Sequence, residues 1–277
     1  MKIARCFFFL FLMQGLLIVS SARATEIFRI GVAPHTSARV IIEMYQPLRF
    51  YLAQALGMPV EIVTAPNFTD TVERAIAQKY DLVITTGHQA RLLQTDAGYT
   101  PLLTYCADFY AVALVAGNSS IKTTADLHGG KALGLSETSL VTLWGLHWLR
   151  KNKLDDMNIQ YVSASDSVAS LLLTGEANVG FTSLANYQQL APTIQSQLHI
   201  FAQSDAMAGR VYLLNKHWKS IRGKVNRALW DFSRSPVGKD YFEKYQLGGY
   251  RELRHGELES MNPYAAEVRM QLKAQKK

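Results

Sequence analysis

Apolar strand-like runs alternate with helical patterns from residue 26 onward, and this alternation constrains the chain more than any other feature. EIFRIGVAP (26 to 34) reads as a strand that ends in a loop at Pro34. Pro47 then opens a helix, because the fixed φ of proline suits the first helical position. Leu48, Tyr51, Leu52, Ala55 and Leu56 follow at helical spacing, and Gly57 ends the run. PVEIVTAP (59 to 66) is the next strand. Asp70, with Glu73 three residues on, starts a second helix that feeds the apolar strand DLVITT (81 to 86). Apolar strands separated by helices belong in a largely parallel sheet covered on both faces.

The pattern then restarts. AVALVA (111 to 116), a turn and strand within TTADLHGGKALGL, an apolar helix within GLSETSLVTLWGLHWL (134 to 149), IQYVSA (159 to 164), a helix over 166–173 and ANVGFTS (177 to 183) make a second α/β unit. RVYLLNK (210 to 216) returns to the first unit, and helices run to the end. The predicted fold is α/β with two lobes, each a mostly parallel sheet flanked by helices, and a ligand cleft at the strand ends. Lobe one is expected over 25–115 and 205–277, lobe two over 116–204, with a hinge near Ala116 and Ser204.

The first residues place such a cleft outside the cytoplasm. Lys2 and Arg5 precede an apolar run that ends at Ala22-Arg23-Ala24, the pattern of a cleavable export signal over residues 1–24. The run is interrupted by Gln14 and Gly15, which argues against a membrane anchor. Cys6 lies well before the cleavage site, so no lipid attachment is expected. Removal of the signal leaves Cys106 as the sole cysteine and excludes a disulfide within the chain. It also leaves 26 basic and 22 acidic residues, a modest +4. A scattered excess of that size is a solvated surface, and no nucleic-acid-binding motif accompanies it.

Candidate site residues gather where strands end. Ser136, Thr138 and Ser139 precede the apolar helix, whose first N–H groups and dipole favour an anion. Such residues also serve as ordinary helix caps, here Ser136 or Thr138. Glu137 either turns to solvent or meets a cationic or hydroxyl part of a different ligand. Thr86, Gly87 and His88 follow an apolar strand, where parallel-sheet sites collect, although His88 could instead cap the next helix. Trp144 and Trp148, four apart, form a helix face that packs on the sheet. No His pair at metal-binding spacing and no G-x-S-x-G elbow is present, and Cys106 has no evident partner. Neither an enzyme, a metal nor a cofactor is expected.

The chain resembles the phosphate/phosphite/phosphonate-binding periplasmic proteins of ABC transporters, from about Phe28 to Tyr250. The resemblance is carried by GVAP, YQPLRFYLAQALGMPVEIVTAPNF, KYDLVITTG, SSIKTTADLHGGKALGL and LLLTGEANVG in that order. It implies the type II periplasmic binding-protein fold, a periplasmic location, a monomer, a small ligand and a membrane permease as partner. A module of the same fold that signals to a membrane sensor kinase is the alternative, and neighbouring permease or kinase genes separate the two. The family's Ser-Thr-Ser anion triplet aligns with Glu137, Thr138 and Ser139, a further histidine position with Ser165, and two cleft tyrosines with Phe68 and Phe109. Where amine-holding carboxylates are found in the family, this chain has Ala185 and Arg210. The resemblance thus implies an oxyanion ligand rather than an aminoalkylphosphonate, since a guanidinium forks onto oxyanions. Arg210 could equally be a surface residue at a strand start, and Phe68 and Phe109 simple core residues.

Overall fold

The computed structural model describes residues 26–162 and 165–274. The expected leader, 1–24, and the last two residues of IQYVSA lie outside them. β1 (Phe28–Val32), β2 (Val60–Thr64), β3 (Leu82–Thr86), β4 (Thr100–Tyr105), β10 (Arg210–Leu214) and β11 (Tyr250–Arg251) form one sheet, ordered β11-β4-β10-β3-β1-β2. β5 (Ala111–Ala116), β6 (Lys131–Gly134), β7 (Asn158–Tyr161), β8 (Val179–Ser183) and β9 (Leu198–Gln203) form the second, ordered β7-β6-β8-β5-β9.

Most strands of each sheet point one way, as expected, and antiparallel strands join them. β1 pairs parallel with β2 and β3, and β6 pairs parallel with β7 and β8. β10 and β4 in the first sheet and β5 and β9 in the second join antiparallel. β10 and β5 each enter their sheet straight from a crossing and run against the βα units, whereas β4 and β9 run with those units and leave for the other lobe. The crossings lie at 106–110 and 204–209. β5 pairs with β8 and β9, so it belongs wholly to the second sheet and Ala116 stands at its far end. A boundary after residue 115 therefore cuts too late. An all-apolar strand shows no sign of which sheet receives it.

Helix α1 (Ala38–Leu56) starts at the Ser37 cap, and Pro47 lies inside it rather than at its start. An interior proline costs roughly 3 kcal/mol. Six buried side chains on the same helix, Ile41, Met44, Tyr45, Leu48, Leu52 and Leu56, each return about 1.5–3 kcal/mol. Burial wins, and the carbonyl that Pro47 frees belongs to exposed Glu43.

The remaining helices cover the sheets. α2 (Phe68–Ile76) starts two residues before the expected Asp70, because Asn67 accepts from the Asp70 N–H at 2.8 Å. It precedes β3, which runs into α3 (Gly87–Asp96). α4 (Leu140–Lys151), α5 (Ser165–Leu173), α6 (Leu184–Gln188) and α7 (Pro192–Gln195) belong to the second lobe. Trp144 and Trp148 of α4 stack on each other and meet Phe181 of β8 edge-on, as the helix-face reading predicts. α8 (Arg222–Arg234), α9 (Pro236–Lys244) and α10 (Asn262–Ala274) follow β10.

One core joins α1, α8 and α9 to one face of the first sheet. Another runs from the opposite face through α3 and α10 to α4 and the second sheet. α10 is thus a strap. Arg269 pairs with Asp96 of α3 at 2.6 Å, and Glu267 accepts from His147 and Arg150 of α4 at 2.6 and 2.9 Å.

Candidate functional site

Strand direction brings the ends of both sheets to one seam. β1 and β3 finish there and β10 begins there, which gathers His35, Thr86, His88 and Arg210 on the first lobe. β6 and β8 finish on the other side, which places the 135–139 turn, Ser165 and Ser183 opposite.

His88 connects the two sides. Its Nε2 lies 2.9 Å from the Thr138 carbonyl oxygen, a pure acceptor, so Nε2 carries the proton and Nδ1 accepts from the Thr86 hydroxyl at 3.1 Å. His88 is fully buried, and burial, opposed by its bond to Thr138, lowers its pKa from 6.5 to about 4. It does not cap α3; Thr86 takes the cap position and makes no side-chain cap bond. Thr69 closes the same contact, its hydroxyl 3.1 Å from that of Thr138.

The α4 turn is more occupied than its sequence suggests. The cap is Ser139 rather than Ser136 or Thr138: its Oγ accepts from the Thr142 N–H and donates to the Thr142 hydroxyl at 2.7 Å. Thr142 in turn accepts from the Leu135 N–H. Thr138 is buried against His88 and Thr69, and Glu137 is exposed. Ser165 accepts from Asn186 at 2.7 Å and from Thr182 at 3.2 Å, within its own lobe.

Arg210 is partly buried, not a free surface residue. It sits opposite Thr86 in the ladder and donates to the Tyr45 hydroxyl at 3.4 Å, with its guanidinium 5.8 Å from the Tyr105 ring centre. Among the described residues no carboxylate pairs with it. Burial works against its charge, the Tyr45 and Tyr105 phenols favour it, and the net direction is upward, so Arg210 stays a cation. Beneath it the Tyr105 hydroxyl bonds those of Tyr212 at 2.7 Å and Tyr241 at 2.8 Å, and Tyr250 donates to Tyr212 at 2.9 Å.

Phe109 and Met207 pair across the two crossing segments. Phe68 opens α2, and its carbonyl accepts from buried Gln89. The geometry therefore unites Thr86, His88, Thr138 and Thr69 at one contact, with Arg210 beside Thr86, Ser139 turned to its own helix and Ser165 on the second lobe. Sequence reasoning missed His35, Thr69, Tyr45 and the tyrosines below Arg210. His35 follows the end of β1, and the strand-end rule that selected His88 also reaches it. The tyrosines come from five separate elements and share no local pattern.

No cluster of metal-binding side chains occurs among the described residues. The arrangement can hold an anion through a guanidinium, hydroxyls and helix N–H groups.

No curated protein sequence matches the chain. Among solved structures, XAC2383 from Xanthomonas citri bound to chloride superposes with a TM-score of 0.76 at 17% identity, covering 88% of this chain and 99% of that one. PhnD1 from Prochlorococcus marinus in complex with methylphosphonate gives 0.75 at 15% identity, covering 88% and 98%. The periplasmic aliphatic sulphonate binding protein SsuA from Escherichia coli gives 0.57 at 18%, covering 90% and 79%. These likenesses establish the type II binding-protein fold. The model of the family described as "ABC transporter, phosphonate, periplasmic substrate-binding protein" matches residues 30–257, and the chain belongs to that family.

Proposed function

We propose that the protein captures a small oxyanion between its lobes and delivers it to an ABC-transporter permease. The observation that carries this reading is Arg210, a cation at the seam with tyrosine hydroxyls around it and no carboxylate partner among the described residues. A partly buried guanidinium without a counter-charge is a ready partner for an oxyanion. Thr138, Ser139 and the first turn of α4 supply the facing half once the lobes part, because opening frees Thr138 from His88 and Thr69. Phe68 and Phe109 are proposed to supply apolar contact to the ligand, and Ser165 to meet it from the second lobe. Binding that bridges the lobes favours the closed arrangement over the open one, which is the signal a permease reads.

A thermal-shift screen of the purified, dialysed protein tests the reading. Phosphate, phosphite, methylphosphonate and sulfate stand on one side, amines and neutral solutes on the other. A ligand at about a hundred times its Kd adds about 2.7 kcal/mol, a visible rise in Tm. An oxyanion is expected to shift the wild type, and Arg210→Gln is expected to weaken binding at least about tenfold, the value of a charged hydrogen bond of roughly 1.5–3 kcal/mol. Shifts by amines alone refute the oxyanion reading.

A further inference from the structure

His35 lies just past the end of β1, and its ring makes one hydrogen bond: Nδ1 is 2.9 Å from the Ala33 carbonyl oxygen. A carbonyl oxygen only accepts, so Nδ1 carries the proton and Nε2 of the neutral ring presents a lone pair. That Nε2 is buried and has no partner among the described residues. Burial first and the Arg210 charge second hold the ring well below its ordinary 6.5, against the Ala33 bond, so the lone pair persists at neutral pH. The ring meets Tyr45 edge-on at 6.3 Å, and Tyr45 accepts from Arg210 at 3.4 Å. The seam thus offers a cation and, against the same tyrosine, a buried acceptor that lacks a donor among the described residues.

We infer that His35 and Arg210 act together to select an oxyanion that carries both a charged oxygen and an O–H. The charged oxygens take the guanidinium, and the O–H donates to His35 Nε2. This rests on the oxyanion reading of the site and narrows it. The monoanion of a phosphonate or of phosphate meets both groups, whereas a sulfonate or sulfate meets Arg210 and leaves Nε2 unsatisfied. An unmade hydrogen bond at a buried acceptor weakens binding by about tenfold or more.

Methylphosphonate and methanesulfonate separate the two cases, because at mildly acidic pH both are tetrahedral monoanions that differ by one O–H. Isothermal titration of the wild-type protein is expected to show methylphosphonate bound at least about tenfold more tightly. His35→Phe, which has no ring nitrogen, is expected to bind the two alike, and His35→Gln, whose amide oxygen accepts, to regain part of the preference. Circular dichroism confirms that each variant is folded. Equal affinities in the wild type overturn the role of His35 while the oxyanion reading stands, and so does a preference that survives in His35→Phe. Failure of both anions and of inorganic phosphate to bind the wild type refutes the oxyanion reading, and this inference with it.

Discussion

Tyr105 shows how much a single hydroxyl can organise. Its O–H stands between the phenols of Tyr212 and Tyr241, with Tyr45 at 3.3 Å, all of them buried. Burial, and then the neighbouring Tyr241, push its pKa well above 10, so this hydroxyl is neutral through the physiological range. Tyr105→Phe keeps the ring and strands its partners, and is expected to cost about 1–3 kcal/mol, read as a lower denaturation midpoint with unchanged m. His88 carries a pH dependence of definite sign. It is neutral and buried in the folded protein, with a pKa near 4 against 6.5 when free, so the unfolded chain binds more protons between those values. Stability is full above about pH 6.5 and declines toward pH 4, by up to ~3 kcal/mol from this group. His88→Gln, whose amide can still donate to Thr138, is expected to lose less Tm than the wild type on acidification. The strand-end rule made His88 legible in sequence. Its partner Thr138 was legible only as a helix-start hydroxyl, because a contact between residues fifty apart has no local signature.

Elements were legible where burial and propensity agree and less so where they conflict. α4 was readable from its apolar spacing, and its cap from its hydroxyls, although Ser139 rather than its neighbours takes the role. Pro47 misled, since propensity placed a helix start where six buried side chains hold a helix interior. Gly145 poses a similar conflict. In a helix interior, glycine to alanine gains up to about 1 kcal/mol by propensity. At Gly145, however, a Cβ would run into the Phe181 ring of β8, and overpacking costs typically 1–3 kcal/mol. Gly145→Ala is therefore expected to destabilise by about 1 kcal/mol or more, measured by urea unfolding. Gly145 sits where α4 must approach its sheet closely, which also fixes the position of the 135–139 turn at the seam.

At the scale of the molecule, two crossings at 106–110 and 204–209 join lobes that meet through His88, Thr69 and the α10 strap. The second crossing follows β9 directly, and the first is braced by Asp108, which lies 3.7 Å from Arg251 and 3.5 Å from Arg254. The two-lobed class was readable from the restart of the βα pattern. The antiparallel strands were not, because direction in a sheet is set by where the chain must go next and not by the composition of the strand. The same holds for the site: Arg210 was visible as a cation at a strand start, while its tyrosine surroundings needed the fold. An oxyanion is proposed to sit on Arg210 between the lobes. A crystal structure of the protein grown with methylphosphonate tests it most directly. Phosphonate oxygens are expected on the Arg210 guanidinium, with the α4 turn closing from the other side. A phosphonate held at the α4 turn alone, with Arg210 still on Tyr45, would contradict it.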